Sequence, residues 1–491
     1  MKKIFKIRFI LLFFALAMQF SCSNYLELIP PNGLVREEFW QTKEDVEAVL
    51  MGAYQSFSQM DGVLFAYGEA RGDMVTSHAN WKGSNENRLM ESNIYPENGL
   101  CNWERFYKVI NYCNEVIKNA PEVQAVDNTF TDFQLKGYLS EAHFLRSLSY
   151  FYLVRIFKDV PLVLEPSESD VVDFYLPQTK GEDVLKAMLG YLNEYRQYAT
   201  DGYKTLDEVK GRATKAAFDA LLADISLWNF DYAATIAYAD RILSNKNFVL
   251  MPSARWFELY YPGNSLESIF EFQFNNKYSQ NNSTYNFTNR YANQYLPSQR
   301  AAEIFARKYT VELVRGEDLS ITKLSEDNYL IWKYAGRAPD GKTQRSGIDQ
   351  NSCNWIVYRL ADIYLMKAEA LSQLSRFDEA ANLLNIIRSR ANVTPMVIGN
   401  STVAFEDAIM DERALELAFE GKRWFDLLRM GRRNNYSRKD KLVEIIIKNV
   451  PSTQKRILSA KLTNPLGWYL PVYKSEIERN KNLVQNPYYI F

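Results

Sequence analysis

Histidine is nearly absent: His78 and His143 are the only two in 491 residues. A serine-type triad would need one of them, and neither stands near a nucleophile-elbow pattern. Cysteine is scarce as well, at Cys22, Cys101, Cys113 and Cys353, and no Cys/His cluster has the spacing of a zinc site. Histidine- or cysteine-based catalysis and a zinc site therefore have no support in the sequence, and no catalytic residue, metal ligand or cofactor is expected. Cys101 and Cys113, if they share a helix, stand ~18 Å apart, beyond disulfide reach, so buried thiols are expected. A basic excess is missing too. Lys+Arg number 58 against Asp+Glu 59, a net charge of −1 with no basic stripe, which argues against a nucleic-acid partner. What the chain does have is apolar content of 47% and aromatic content of 14%, with 32 tyrosines and 9 tryptophans. That suffices for a large core and leaves aromatic rings for surface stacking.

The one concentrated hydrophobic run lies at the start. Lys2, Lys3, Lys6 and Arg8 precede a short apolar stretch, Phe9 to Ala17, followed by Phe20-Ser21-Cys22-Ser23. The run is shorter than the ~20 residues of a membrane span and has the flanks of an export signal. A small residue before a cysteine at this place resembles the lipobox of bacterial lipoproteins. That implies a leader over 1–21, lipidation of Cys22, and a mature chain 22–491 held at a membrane by its acyl chains.

Beyond Cys22, Pro30-Pro31 and Asn32-Gly33 break an extended stretch. Apolar positions Val46, Val49, Leu50, Ala53 and Phe57 have helical spacing and predict a helix over 36–57. Residues 58–100 read as polar and irregular. Further helices are expected at 101–119, 132–158, 181–198 and 402–430. Residues 212–245 and 358–391 form a degenerate repeat in which Ala233 matches Ala380, Ile236 matches Leu383 and Arg241 matches Arg388. Helix–turn–helix units with small residues at the crossing have the tetratricopeptide style, ~34 residues per unit, and need neighbours to bury their faces. Glu267 to Phe274 alternates like a half-buried strand. Residues 262–350 read as a loop-rich insertion with a few short strands.

Several blocks together resemble the SusD/RagB family of outer-membrane glycan-binding lipoproteins. They are Phe39-Trp40 with Gly52-Ala53-Tyr54; Glu141-Ala142-His143 through Tyr150-Phe151-Tyr152 to Asp159-Val160-Pro161; Gly211-Arg212-Ala213; and Tyr358-Arg359. The most specific is Asp411-Glu412-Arg413 through Glu420-Gly421-Lys422-Arg423-Trp424-Phe425-Asp426, and the tail Asn482-Leu483-Val484-Gln485-Asn486-Pro487 completes the set. They cover nearly the whole mature chain. The resemblance implies an all-α fold, with about four tetratricopeptide-like helix–turn–helix units beside a loop-rich half carrying a few short strands. It implies one domain over 22–491, with an N-terminal part at about 22–230 and a C-terminal part at about 260–491. It also implies an oligosaccharide ligand, no catalysis, and a partner: a TonB-dependent outer-membrane barrel (SusC-like) for which the protein acts as a lid at the cell surface.

The acidic residues of the 411–427 block could be imagined as a glycosidase carboxylate pair. They are interleaved with arginines, however, and a carboxylate beside a guanidinium stays ionised. Ion-pair scaffolding is the expectation there, and likewise for Glu141 with Arg146 and Arg359 with Asp362. Sugar recognition needs exposed rings in polar surroundings. Trp81 beside Asn80, with Asn85 following, fits that description, as do Tyr278, Tyr285, Tyr291 and Tyr295 in the Asn-rich insertion. Arg71 and Asp73 could bond sugar hydroxyls. The alternatives are a lipid-anchored glycan-processing enzyme and a lid for a peptide importer.

Overall fold

The chain is described here from a computed structural model. The structure describes residues 39–490 apart from 168–174, 276–279, 289–293, 309–311, 313, 327, 346, 449 and 451. Cys22 and the leader, Tyr278 and Tyr291 lie outside the described residues.

Helices α1 (Lys43–Ser58) and α2 (Asp61–Glu69) precede strand β1 (Val75–Ser77) and helix α3 (Asn85–Met90). Helix α1 begins seven residues after the expected start, at a capping box in which Thr42 and Asp45 satisfy each other's backbone N–H groups. Residues 58–100 are less irregular than expected. Helix α2 occupies part of them and buries Leu64, Phe65 and Tyr67, on an apolar run too short to show its period.

Helices α4 (Glu104–Val126), α5 (Asp132–Phe157) and α6 (Gly181–Tyr195) pack successively, and α1 lies against α4. From Ser140 to Phe157, α5 is buried all round, the condition of a helix enclosed by others. Helices α7 (Lys215–Trp228) and α8 (Tyr232–Leu243) form one hairpin. After strands β2 (Ser268–Phe272), β3 (Tyr295–Pro297), β4 (Ile321–Ser325), β5 (Asn328–Ile331) and β6 (Trp355–Arg359), with the short helix α9 (Thr284–Thr288) between β2 and β3, helices α10 (Leu360–Gln373) and α11 (Phe377–Arg390) form another. The two hairpins join through α8 against α10.

The repeat exists, but its register is two residues from the one read in the sequence. Thr235, Ala239 and Ile242 of α8 are buried, and so are Ala380, Leu384 and Ile387 of α11. Those pairs differ by 145, as do the turn residues of positive φ, Phe230 and Ser375. Ala233 is exposed and is not the counterpart of Ala380. At the register read from the sequence, Phe230 of the first turn would fall opposite Phe377, the first residue of α11.

The expected helix over 402–430 is two helices, α12 (Thr402–Glu416) and α13 (Arg423–Tyr436). The break contains Phe419 and Gly421 at positive φ. A Cβ on Gly68 of α2 would sit 1.9 Å from the Gly421 carbonyl oxygen, so α2 touches this turn directly. Strand β2 is fully buried rather than half-buried. It pairs antiparallel with β6, Ser268 opposite Arg359 and Phe272 opposite Trp355. Its apolar face reaches the helices, Phe272 stacking on Phe57 of α1 with centroids 4.8 Å apart. Its polar face is paired inside: Glu271 accepts from Asn354 Nδ2 at 2.8 Å. The architecture is all-α with small two-stranded sheets, and the helical and loop-rich halves share one hydrophobic core.

Candidate functional site

Apart from the exposed Asp411 and the half-buried Lys422, the acidic and basic residues of the 411–427 block lie in the interior. Arg315 Nη1 donates to Glu412 at 2.6 Å and to Glu416 at 3.2 Å. Arg359 Nη1 donates to Glu267 and Glu416 at 2.7 and 2.6 Å, and its Nε to Glu420 at 2.8 Å. Arg413 joins Asp362 and Asp426, both at 2.8 Å. Burial alone would raise the carboxyl of Glu416, but Arg390, Arg359 and Arg315 hold it well below the usual range. Carboxylates held this closely by buried guanidinium groups suit scaffolding and not proton transfer.

Two expected pairs have other partners. Glu141 is held by Arg212, with Nη2 donating at 2.7 Å, while Arg146 donates to Asn114 at 2.8 Å and lies over Tyr191. Positions five apart on a helix do not face each other. Arg359 is extended at the end of β6, so it is no helical neighbour of Asp362, which Arg413 and Lys422 engage instead.

Arg71 and Asp73 are corrections as well. Arg71 donates from Nη1 and Nη2 to the carbonyls of Trp468 and Gly467 at 2.5 and 2.6 Å, and its guanidinium lies 4.4 Å from the Trp424 ring centroid. Asp73 accepts from Arg423 Nε at 2.6 Å and Nη2 at 3.0 Å. Both are buried. They tie the early loop to α13 and the C-terminal tail and present nothing to a ligand. Tyr295 is also core, 1% exposed and packed on Phe65. Alternation along β3 turns it inward. Of the histidines, His143 is stacked on Tyr195 at 3.9 Å; burial, then Arg146, pushes its imidazole down to about 3. His78 accepts from Asn80 N at 3.2 Å and starts the turn Ala79–Trp81.

Trp81 ends that turn and is 39% exposed. Asn85, also exposed, opens α3. Strand pairing brings this loop to the insertion. Val75, Thr76 and Ser77 of β1 lie opposite Pro297, Leu296 and Tyr295 of β3, and His78 N donates to Gln294 O at 3.1 Å. Strand β3 in turn packs on β5 of the β4–β5 hairpin. Helix α9 is fixed from below by Asp61, whose Oδ2 accepts from Ser283 N and Thr284 N at 2.7 and 3.0 Å. The Trp81 loop and the Tyr285 region are thus neighbours of one small β assembly.

Tyr285 lines a cleft of about 650 Å³, counted out to its open mouth, with Thr288, Lys323, Leu330, Trp332, Arg337 and Gln344. Its hydroxyl donates to Gln350 at 2.7 Å. Trp332 donates from Nε1 to Gly341 O at 3.2 Å, and Arg337 lies 3.7 Å over its ring. Trp332 escaped the sequence reading because it directly follows the apolar strand Tyr329-Leu330-Ile331 and reads as core. A larger concavity, about 840 Å³, opens among the helices by Lys158, Lys180, Trp228, Arg432 and Tyr469. There Trp228 and Tyr469 are buried, and Arg432 lies over the Trp228 ring. The insertion cleft has half-buried rings instead, with hydrogen-bonding side chains beside them, the combination suited to a polyhydroxylated ligand.

Comparison with known proteins agrees with this architecture. Residues 227–489 match the SusD family model, and 24–227 match a SusD-like model described as starch-binding and associating with the outer membrane. SusD-like protein P38 of Formosa agariphila is 26% identical over 85% of this chain and 90% of its own length. SusD-like protein P2 of the same organism is 25% identical over 99% of each. A SusD superfamily protein from Bacteroides vulgatus superposes with a TM-score of 0.76 at 20% identity, over 92% of this chain and 100% of that one. A SusD-like protein described as laminarin-binding superposes with a TM-score of 0.72 at 21% identity, over 91% and 99%. With more than half of its length matched by the family model, the chain belongs to the SusD family.

Proposed function

We propose that this SusD-family protein captures oligosaccharides at the cell surface and passes them, unhydrolysed, to a TonB-dependent outer-membrane barrel. The observation that carries the reading is the insertion cleft of Tyr285 and Trp332, with the exposed Trp81 on a loop that the β1–β3 pairing ties to the same small β assembly. Aromatic rings beside amide, hydroxyl and cationic side chains suit a sugar's apolar face and its hydroxyls. The laminarin-binding relative supports a glycan as ligand. Capture without hydrolysis is supported by the acidic clusters being paired to arginines in the interior and by the cleft's described lining containing no carboxylate. Tethering through lipid at Cys22, after removal of residues 1–21, accounts for the surface location.

Affinity electrophoresis against a polysaccharide panel, followed by calorimetry, tests the site. Trp81→Ala and Trp332→Ala should each weaken binding by roughly 1–3 kcal/mol, the range of an anchoring aromatic, or about tenfold to a hundredfold. Wild-type affinity in both variants would place the site elsewhere. Co-purification of a barrel from native membranes tests the partner.

A further inference from the structure

Many buried cations in this protein are matched by carboxylates, as Arg315, Arg359, Arg413, Arg423 and Arg429 are, while Arg71 and Arg146 are satisfied by neutral oxygens. The insertion cleft presents cations to an open space. Its described lining holds two cations, Lys323 and Arg337, and no aspartate or glutamate. Arg337 donates from Nη1 to Lys342 O at 3.0 Å, and its Nε is shielded from solvent with no hydrogen-bond partner. Asp340, three residues on, closes its own turn by accepting from Lys342 N, Thr343 N and Thr343 Oγ1 at 2.9, 2.8 and 2.5 Å. Lys323 is exposed on β4 opposite Tyr329.

The sequence repeats the bias independently. From Phe272 to Gln299 there is no acidic residue, although 59 acids in 491 residues would place about three in such a stretch, and Lys277 and Arg290 fall within it. Asp340 acts on the Arg337 guanidinium through space but makes no ion pair with it, and a partly desolvated guanidinium gains from an anion in direct contact. Burial already depresses its basicity. A guanidinium beside an ammonium suits a carboxylate or a sulfate, with Arg supplying paired donors and Lys a point charge.

We propose that the cleft selects an anionic oligosaccharide, one carrying a uronate carboxylate or a sulfate ester that seats between Lys323 and Arg337 while the sugar ring meets Tyr285 and Trp332. This rests on the glycan-binding reading above and narrows its ligand class.

The test is native affinity electrophoresis of the detergent-solubilised full chain in gels containing polygalacturonate, its methyl ester, κ-carrageenan, agarose, laminarin or amylose. Retardation is expected in an anionic gel, at least tenfold weaker with the uncharged counterpart, and reduced between 0.05 and 0.5 M NaCl as screening shortens. Polygalacturonate and carrageenan distinguish carboxylate from sulfate. Lys323→Gln, on an exposed strand where it cannot disturb the core, should weaken anionic binding about tenfold. Adding Arg337→Gln should weaken it further. Retardation by neutral gels alone, or anionic binding that Lys323→Gln leaves unchanged, overturns the anionic selection while the glycan reading stands. Retardation in no gel overturns both.

Discussion

Trp81 and Trp424 show how one residue type serves two purposes. Trp424 is 3% exposed and sandwiched against the Arg71 guanidinium. Trp424→Ala should therefore destabilise the fold by ~3–5 kcal/mol. Trp81, 39% exposed at the end of a short turn, should leave the melting temperature almost unchanged when truncated. Thermal melts of the two variants check this, and equal losses would place Trp81 in the core. Glu369 gives a pH prediction. Burial would push its carboxyl up, but Arg429 and Arg433 prevail and hold it at about 2. A depressed carboxylate contributes stability that is complete above its unfolded value and disappears as pH falls through its folded one. Urea midpoints should decline from about pH 4.5 toward 2. Glu369→Gln leaves two buried arginines short of a counter-charge and should cost about 3–5 kcal/mol at pH 7, while flattening that acid limb.

Helix α2 and the turn between α12 and α13 belong to one contact. Glu69 accepts from Gly421 N at 2.9 Å and from Lys422 N at 3.2 Å, and Gly68 faces the Gly421 carbonyl with no room for a side chain. Gly68→Ala should force the two elements apart and destabilise by about 1–3 kcal/mol or more, measurable by chemical denaturation. An unchanged midpoint would show that the turn yields freely. The start of the central helix was legible because its signal is local: Thr131 and Gln134 cap α5 where the sequence placed its start. The α12–α13 break was not read from the sequence. Leu417-Ala418-Phe419-Glu420 continues a helical pattern, and the positive φ of Gly421 ends it where α2 and Trp355 approach.

For the whole molecule, attachment and chemistry are separable from folding. Cys22→Ala should abolish incorporation of a fatty-acid analogue and release the protein from the membrane fraction, and undiminished labelling would exclude Cys22 as the lipidated residue. Purified protein incubated with an oligosaccharide it retains should give no cleavage products on chromatography. Turnover that survives repurification and is lost in an Asp or Glu variant would establish an enzyme instead. No helix among the described residues is long and apolar enough to cross a membrane.

By itself, the sequence determined the helical class, the two repeat hairpins, the loop-rich insertion and the family. Each of these rests on periodicity, turn residues or blocks of consecutive residues, which survive without knowledge of long-range contacts. The tertiary structure decided which polar residues face inward. Arg71, Asp73 and Tyr295 looked like ligand groups because their sequence neighbours are polar. They are core because α13, the tail and α2 pack over them, and burial depends on elements hundreds of residues away. The same dependence hid Trp332, which looked like core and lines the cleft, and the matching of Arg359 with three distant glutamates. Which charge meets which is set by the fold's closure, and a one-dimensional pattern carries no record of it.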